Sequence, residues 1–147
     1  MRGFGEVLQP GWKRKHASIH DEVVRDLQLR RWKVRRRVDP EGALRRLYGE
    51  QAQFRGVHRE AIKAIMMNKN PIVVVMGTGG GKSLSFMLPA ASCPGGVTVV
   101  VVPLVSLRGD LMERCQKMKI PCAEWRSDRS PGAASLVFVT PESAMTK

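Results

Sequence analysis

The residues with the clearest potential for chemistry form one run, MGTGGGKS, from Met76 to Ser83. The run approximates the phosphate-binding pattern GxxxxGK[ST], with Met76 where the first glycine usually stands. Glycines take positive φ at low cost and let backbone N–H groups turn toward phosphate oxygens. Lys82 would reach the β- and γ-phosphates of a nucleotide, and the Ser83 hydroxyl would be a ligand of Mg²⁺. The run therefore predicts a nucleotide site, with Lys82 as its catalytic residue.

The elements around this run are those that such a loop needs. The apolar residues from Ile72 to Met76 predict a strand that enters the loop, and Lys82–Ala91 predicts the helix that leaves it. A strand that is apolar on both faces belongs in the middle of a parallel sheet. The alternation of strands and helices that follows predicts an α/β fold, with an open parallel sheet flanked by helices. Further strands are predicted at 97–102, 120–125 and 136–139, and further helices at 20–38, 41–48, 57–67 and 104–118.

Composition narrows the class of protein. A chain of 147 residues, 43% hydrophobic and 26% charged, matches one globular domain and excludes disorder throughout. It contains no run of ~18 apolar residues that would predict a membrane span. The first residues carry no apolar run typical of a secretory leader. The three cysteines lack CxxC spacing, so we expect reduced thiols rather than a zinc site or a disulfide framework.

The chain is strongly basic, and the charge is concentrated. Lys and Arg number 25 against 13 Asp and Glu, a net charge of +12. Such a balance favours a polyanionic partner, because cations on phosphates release counterions. The alternative is a solvated basic helix face without a fixed partner. The densest block of cations consists of Arg30, Arg31, Lys33, Arg35, Arg36 and Arg37.

Several segments around the loop resemble motifs of the RecQ-like ATP-dependent DNA helicases of superfamily 2. Phe54–Ile62 is similar to the segment of that family that recognises adenine, which runs Phe-Arg, two residues, then Gln. Val74–Leu84 resembles motif I, including the methionine at the first position, and Met87–Ala90 resembles the Leu-Pro-Ala of the next helix. Val101–Leu107 is similar to motif Ia and Val139–Ser143 to motif Ib.

The resemblance implies a RecA-like P-loop NTPase fold, and it covers residues 44–147. We therefore predict two parts, a basic helical extension at 1–43 and a partial ATP-binding domain at 44–147. Family members unwind duplex DNA at the expense of ATP, which implies ATP and Mg²⁺ as cofactors, DNA as partner and the nucleus as location. The implied nucleotide-binding residues are Phe54, Arg55, His58, Thr78, Gly79, Gly80, Gly81, Lys82 and Ser83. Pro103, Leu104, Ser106, Thr140 and Pro141 are implied to line the track of single-stranded DNA.

The sequence departs from the family pattern at two positions and at its end. His58 stands where the family has the glutamine that reads adenine, so ATP and GTP are expected to bind nearly equally. Gly77 stands where the family has proline. The chain ends after motif Ib, before the acidic pair of motif II. We therefore expect it to hold a nucleotide but to turn it over poorly, and the remainder of the helicase core would be its partner.

Two other functions stay open from the sequence. A small-molecule kinase shares the P-loop, although the segments at 101–107 and 139–143 follow helicase patterns instead of those of a kinase lid. A non-catalytic module that binds nucleotide or DNA is the alternative from a different class.

Overall fold

The computed structural model describes residues 19–93 and 95–145. The predicted basic extension at 1–43 therefore lies in part outside the described residues. Within them, the chain forms helices that flank one small parallel sheet, as the sequence predicted. The helices are α1 Ile19–Arg36, α2 Pro40–Tyr48, α3 His58–Met66, α4 Leu84–Ser92, α5 Val105–Lys117 and α6 Pro141–Met145, and the strands are β1 Thr98–Val101, β2 Cys122–Glu124 and β3 Leu136–Val139.

The break between α1 and α2 has a local cause. Pro40 is tolerated as the first residue of α2, where its missing N–H costs nothing. The Asp39 carboxylate accepts hydrogen bonds from the backbone N–H groups of Glu41 at 3.2 Å and Gly42 at 2.9 Å. This N-cap satisfies two donors that the first turn would otherwise leave free. The proposed division at residues 43/44 falls inside α2, whose Ala43 and Leu44 are buried.

The sheet has the strand order β1-β3-β2, and both pairs are parallel. Strand β3 was predicted at 136–139 and is fully buried, as expected for a central strand. One face of the sheet contributes Leu136 and Phe138 to a cluster with Met87 of α4 and Cys115 of α5. The sheet therefore shares its core with the helix that follows the P-loop.

Helix α4 is buried on two sides. Met87 and Ala90 pack toward the sheet, and Leu88 packs in a second cluster with Ile62 of α3 and Leu44 of α2. A helix that is apolar all round is a core helix. The loop that precedes α4 is thereby fixed to the most buried helix among the described residues.

The prediction of a buried strand at Ile72–Met76 is wrong. Residues 72–77 form neither helix nor strand, and the side chains of Val73 and Val75 are 85% and 86% exposed. A strand requires a neighbour for its N–H and C=O groups, and no described strand pairs with this segment. The expected burial of β1 is also wrong in part, because Val99 and Val101 are 61% and 63% exposed on a strand with one described neighbour. An apolar run indicates a strand but does not supply its partners.

Candidate nucleotide-binding site

The glycines of the loop are required for different reasons. Gly79 and Gly81 have backbone φ angles of 77° and 73°, which residues other than glycine rarely adopt. Gly80 lies where an added Cβ would approach the Gly77 carbonyl oxygen to 2.9 Å and the Met76 Cβ to 3.2 Å. At Gly77 nothing lies within 4 Å of an added Cβ. The tight part of the loop is therefore centred on Gly80.

Lys82 and Ser83 lie at the end of the loop, directly before α4. The Lys82 ammonium donates a hydrogen bond of 2.7 Å to the Gly77 carbonyl oxygen, so its charge lies across the loop. Ser83 is the N-cap residue of α4 and makes no side-chain capping bond. The predicted helix start at Lys82 is early by two residues, since α4 begins at Leu84. The positive N-terminal end of α4 still faces the loop, as an anion site requires.

Several backbone donors of the loop are free to receive an anion. The N–H groups of Gly79, Gly81, Lys82 and Ser83 have no hydrogen-bond acceptor among the described residues, whereas the N–H of Gly80 donates to the Gly77 oxygen at 3.1 Å. Unpaired N–H groups clustered at a helix N-terminus are the usual donors to phosphate oxygens. Thr78 is an exposed residue of the same loop.

The segment that resembles the adenine-recognition motif lies against this loop. His58 is the first residue of α3, and its Nδ1 lies 2.7 Å from the Arg55 carbonyl oxygen. Its Nε2 lies 3.3 Å from the carbonyl oxygen of Gly81, 23 residues further along the chain. Phe54 packs against the cluster of α2, α3 and α4, and Arg55 is exposed. The fold thus brings together two segments that the sequence connects only through the family resemblance.

Two cavities meet at Arg55, His58 and Gly81. One, of about 520 Å³, lies between the loop and the turn at 55–58. The other, of about 540 Å³, extends from Phe54 and Ser83 to Tyr48 and Arg114. Burial raises the pKa of the Tyr48 hydroxyl, and the charge of Arg114 acts in the opposite direction.

Sequence reasoning missed Tyr48 and Arg114. Arg114 lies in the last turn of α5, 31 positions after Ser83 by sequence numbers, and no pattern in the sequence connects it with the loop. Tyr48 could have been noticed as the aromatic residue that ends a predicted helix before Gly49. Both reach the cavity through the packing of α2 and α5, which only the tertiary structure reveals.

The residues predicted to line a DNA track follow two adjacent parallel strands. Val101 of β1 pairs with Val139 of β3, so the segments that follow them emerge at the same edge of the sheet. Pro103, Leu104, Ser106 and Pro141 are exposed there. Thr140 is only 6% exposed. Its hydroxyl and backbone exchange hydrogen bonds with Ser143, including Ser143 N–H to Thr140 Oγ1 at 3.2 Å. Thr140 therefore holds the start of α6.

The cations of α1 differ in their surroundings. Arg30 pairs with Asp26 at 2.7 Å, and the guanidinium of Arg36 lies 4.6 Å from the centroid of the Trp32 ring. Arg35 is half-buried, lies 3.5 Å from the Ile65 carbonyl oxygen of α3, and keeps a buried Nε without a partner among the described residues. The exposed members of the block are Arg30, Lys33, Arg36 and Arg37, and the side chain of Arg31 lies outside the description.

The described residues contain no cluster of three or more His, Cys, Asp or Glu side chains suited to a metal ion. A Mg²⁺ ion in such a loop takes most of its ligands from phosphate oxygens and water, so one hydroxyl such as that of Ser83 is compatible with it. Among the described helices none is long and apolar enough to cross a membrane.

Comparison with known families agrees with this geometry. Residues 55–144 match the family described as DEAD/DEAH box helicase. The chain belongs to that family.

Within the family, the similar proteins are of the RecQ type, which confirms the resemblance found in the sequence. The chain is 36% identical over 104 residues to ATP-dependent DNA helicase Q1 of Rattus norvegicus, with 61% of this chain and 16% of the relative covered. It is 34% identical over 115 residues to ATP-dependent DNA helicase RecQ of Haemophilus influenzae, with 70% of this chain and 18% of the relative covered. ATP-dependent DNA helicase RecQ of Synechocystis is 40% identical over 83 residues, with 56% of this chain and 17% of the relative covered. The chain thus spans less than a fifth of the length of these relatives.

Proposed function

We propose that this chain is the ATP-binding part of a RecQ-like DNA helicase and binds ATP with Mg²⁺ at the P-loop. The observation that carries the proposal is the contact of His58 with Gly81, which joins the segment for the base to the loop for the phosphates. The unpaired N–H groups of the loop, which lie at the N-terminus of α4, fit a chain of phosphates. The base would occupy the cavity between Phe54, Arg55 and Ser83.

The proposed role of Lys82 follows from its position. Its ammonium now bonds to the Gly77 oxygen and would exchange that acceptor for the terminal phosphates, where charge-assisted hydrogen bonds are stronger. Turnover by this chain is expected to be slow. No carboxylate from the described residues lines either cavity, so nothing there positions an attacking water or a second ligand of Mg²⁺.

Single-stranded DNA is the second proposed ligand. The relatives are DNA helicases by name. The exposed Pro103, Leu104, Ser106 and Pro141 offer contacts to sugar and phosphate, which position a strand without reading its sequence. A nuclear location stays a prediction, since relatives come from a rat and from bacteria alike.

Calorimetric titration with MgATP tests the proposal. Replacing Lys82 by Ala should weaken binding about tenfold or more, because a charged hydrogen bond contributes about 1.5–3 kcal/mol. Lys69 is an exposed lysine of the segment after α3 and provides the control. Lys69→Ala should bind like the wild type. Equal affinities of the wild type and Lys82→Ala would contradict the assignment of the loop.

A further inference from the structure

A cavity of about 330 Å³ lies between α1 and the turn that follows α3, and it shares no lining residue with the two cavities at the P-loop. Gln28, Trp32 and Arg35 line it from one face of α1, since they stand four and three positions apart, and Asn68 lines it from the turn. The Ile65 carbonyl oxygen accepts hydrogen bonds from the Arg35 guanidinium at 3.5 Å and from the Asn68 N–H at 3.0 Å. This oxygen ties the two walls together, and the volume lies within the ~300–1,000 Å³ of small-ligand sites.

Trp32 supplies an aromatic surface to this cavity. The residue is half-buried, but it belongs to none of the hydrophobic clusters of the described core, so core packing does not explain its position. The guanidinium of Arg36 lies 4.6 Å from the centroid of the ring and covers one of its faces. The other face remains for a flat ligand, and nucleobases stack on aromatic side chains in this way.

The polar groups of the cavity fit the edge of such a ligand. The side-chain amides of Gln28 and Asn68 are exposed and make no hydrogen bond to the described residues. Each amide offers donors and an acceptor, the groups that pair with base edges. Arg35 forms no ion pair among the described residues, whereas Arg30 is paired with Asp26 at 2.7 Å. The cavity therefore favours a ligand that is rich in hydrogen-bond acceptors.

The charge around the cavity indicates that this ligand is anionic. Exposed cations stand next to its lining residues, with Lys33 and Arg36 on α1 and Lys69 beside Asn68. No carboxylate lines the cavity within the part of the chain that the structure describes. A flat ring with acceptor atoms, flanked by several negative charges, is the chemistry of a nucleotide within a strand.

We propose that this cavity binds one base of single-stranded DNA, stacked on Trp32 and hydrogen-bonded by Gln28 and Asn68, while the cations beside it hold the adjoining phosphates. The bases of a duplex are already stacked and paired, so the cavity selects single strands. Every base has a π face, so the preference for sequence should be weak. The site is separate from the track at the edge of the sheet, and the choice of DNA as ligand rests on the proposed function.

The test measures the binding of an oligothymidylate of about 12 nucleotides, a length typical of single-strand sites, by fluorescence anisotropy. Trp32→Leu removes the aromatic face, and Trp32→Phe retains one. Leu27→Ala is the control, because Leu27 is an exposed residue of α1 that does not line the cavity. An oligomer of abasic sites with the same length provides the same phosphates without bases.

Trp32→Leu should weaken binding of the oligothymidylate about fivefold or more, because stacking on one aromatic residue contributes at least that factor. Trp32→Phe should retain most of the affinity, and Leu27→Ala should bind like the wild type. The slope of log affinity against log salt should be the same for the wild type and Trp32→Leu, since no cation is removed. All four proteins should bind the abasic oligomer equally.

Two outcomes would overturn the inference and leave the track and the nucleotide site standing. One is equal affinity of the wild type and Trp32→Leu for the oligothymidylate. The other is an equal loss for Trp32→Leu on the abasic oligomer, which would give Trp32 a structural role only. Failure of all the proteins to bind the oligothymidylate would contradict the proposed binding of single-stranded DNA as well.

A second measurement does not depend on the folding of Trp32→Leu. The chain has three tryptophans, so Trp12→Phe/Trp125→Phe leaves Trp32 as the single one. Stacking of a base should quench its fluorescence when the oligothymidylate binds, whereas the abasic oligomer and a duplex should not. Unchanged emission at saturating oligothymidylate would contradict the stacking.

Discussion

The segments on the two sides of the P-loop differ sharply in their surroundings. After the loop, α4 is covered by the sheet on one side and by α2 and α3 on the other, and Leu88 is fully buried. Before the loop, Val73 and Val75 are exposed and belong to no described sheet. The geometry of the loop is therefore held by its glycines, by the contact with His58 and by α4. The chain that enters it contributes little.

The largest difference between the segments before and after the loop should be found in how much a substitution in each lowers the stability of the protein. Leu88→Ala opens a cavity in the cluster of α2, α3 and α4, and we expect it to lower the free energy of unfolding by about 2–5 kcal/mol. Val73→Ala removes a side chain that is 85% exposed and should change it by less than about 0.5 kcal/mol. Urea denaturation followed by circular dichroism measures both. Similar losses for the two variants would show that the segment before the loop is covered after all.

The buried Cys115, which packs against the sheet, should also make the free energy of unfolding depend on pH in the alkaline range. Burial, together with the neighbouring Cys122, raises the pKa of the Cys115 thiol to about 12. An unfolded chain loses this proton near pH 8.5, whereas the folded chain retains it. The unfolded state therefore binds fewer protons above that pH, and stability falls from about pH 9 to about pH 12. Cys115→Ala should flatten the decline of the urea midpoint between pH 8 and 10. An unchanged slope would place Cys115 in contact with water.

The smallest effect concerns the exposed cations at the C-terminal end of α1, Arg36 and the following Arg37, which should act on DNA binding and leave stability unchanged. Arg36 and Arg37 are exposed, whereas Arg35 lies against the Ile65 oxygen. On duplex DNA, Arg36→Gln/Arg37→Gln should lower the slope of log affinity against log salt by about 1.8, since each phosphate contact contributes about 0.9. Arg35→Gln should leave the slope unchanged and lower the melting temperature. A slope unaffected by the double variant would show that α1 is a solvated face.

Sequence patterns predicted the loop and the buried elements α4 and β3 well. The glycine loop with Lys82 and Ser83, the apolar helix after it and strand β3 were all placed within two residues, because their patterns are local. The Asp39 carboxylate caps α2, a role that the neighbouring Pro40 makes predictable.

What the sequence could not predict depends on distant parts of the chain. Burial of Ile72–Met76 requires neighbouring strands, and an apolar run carries no information on whether they are present. The contact of His58 with Gly81, the approach of Arg114 to the cavity and the half-burial of Arg35 arise from helix packing. Each joins residues without a shared periodicity, so only the folded arrangement shows them.

The central claim is that the loop around Gly80 binds the phosphates of a nucleotide, and two alanine substitutions in this loop test it most directly. At Gly80 an added Cβ would lie 2.9 Å from the Gly77 oxygen, whereas at Gly77 it would meet nothing within 4 Å. The related family has proline at the position of Gly77, so a side chain is compatible with function there. MgATP titrations should give Gly77→Ala an affinity within about threefold of the wild type and Gly80→Ala a loss of about tenfold or more, with both proteins folded. Equal affinities for the two variants would contradict the account.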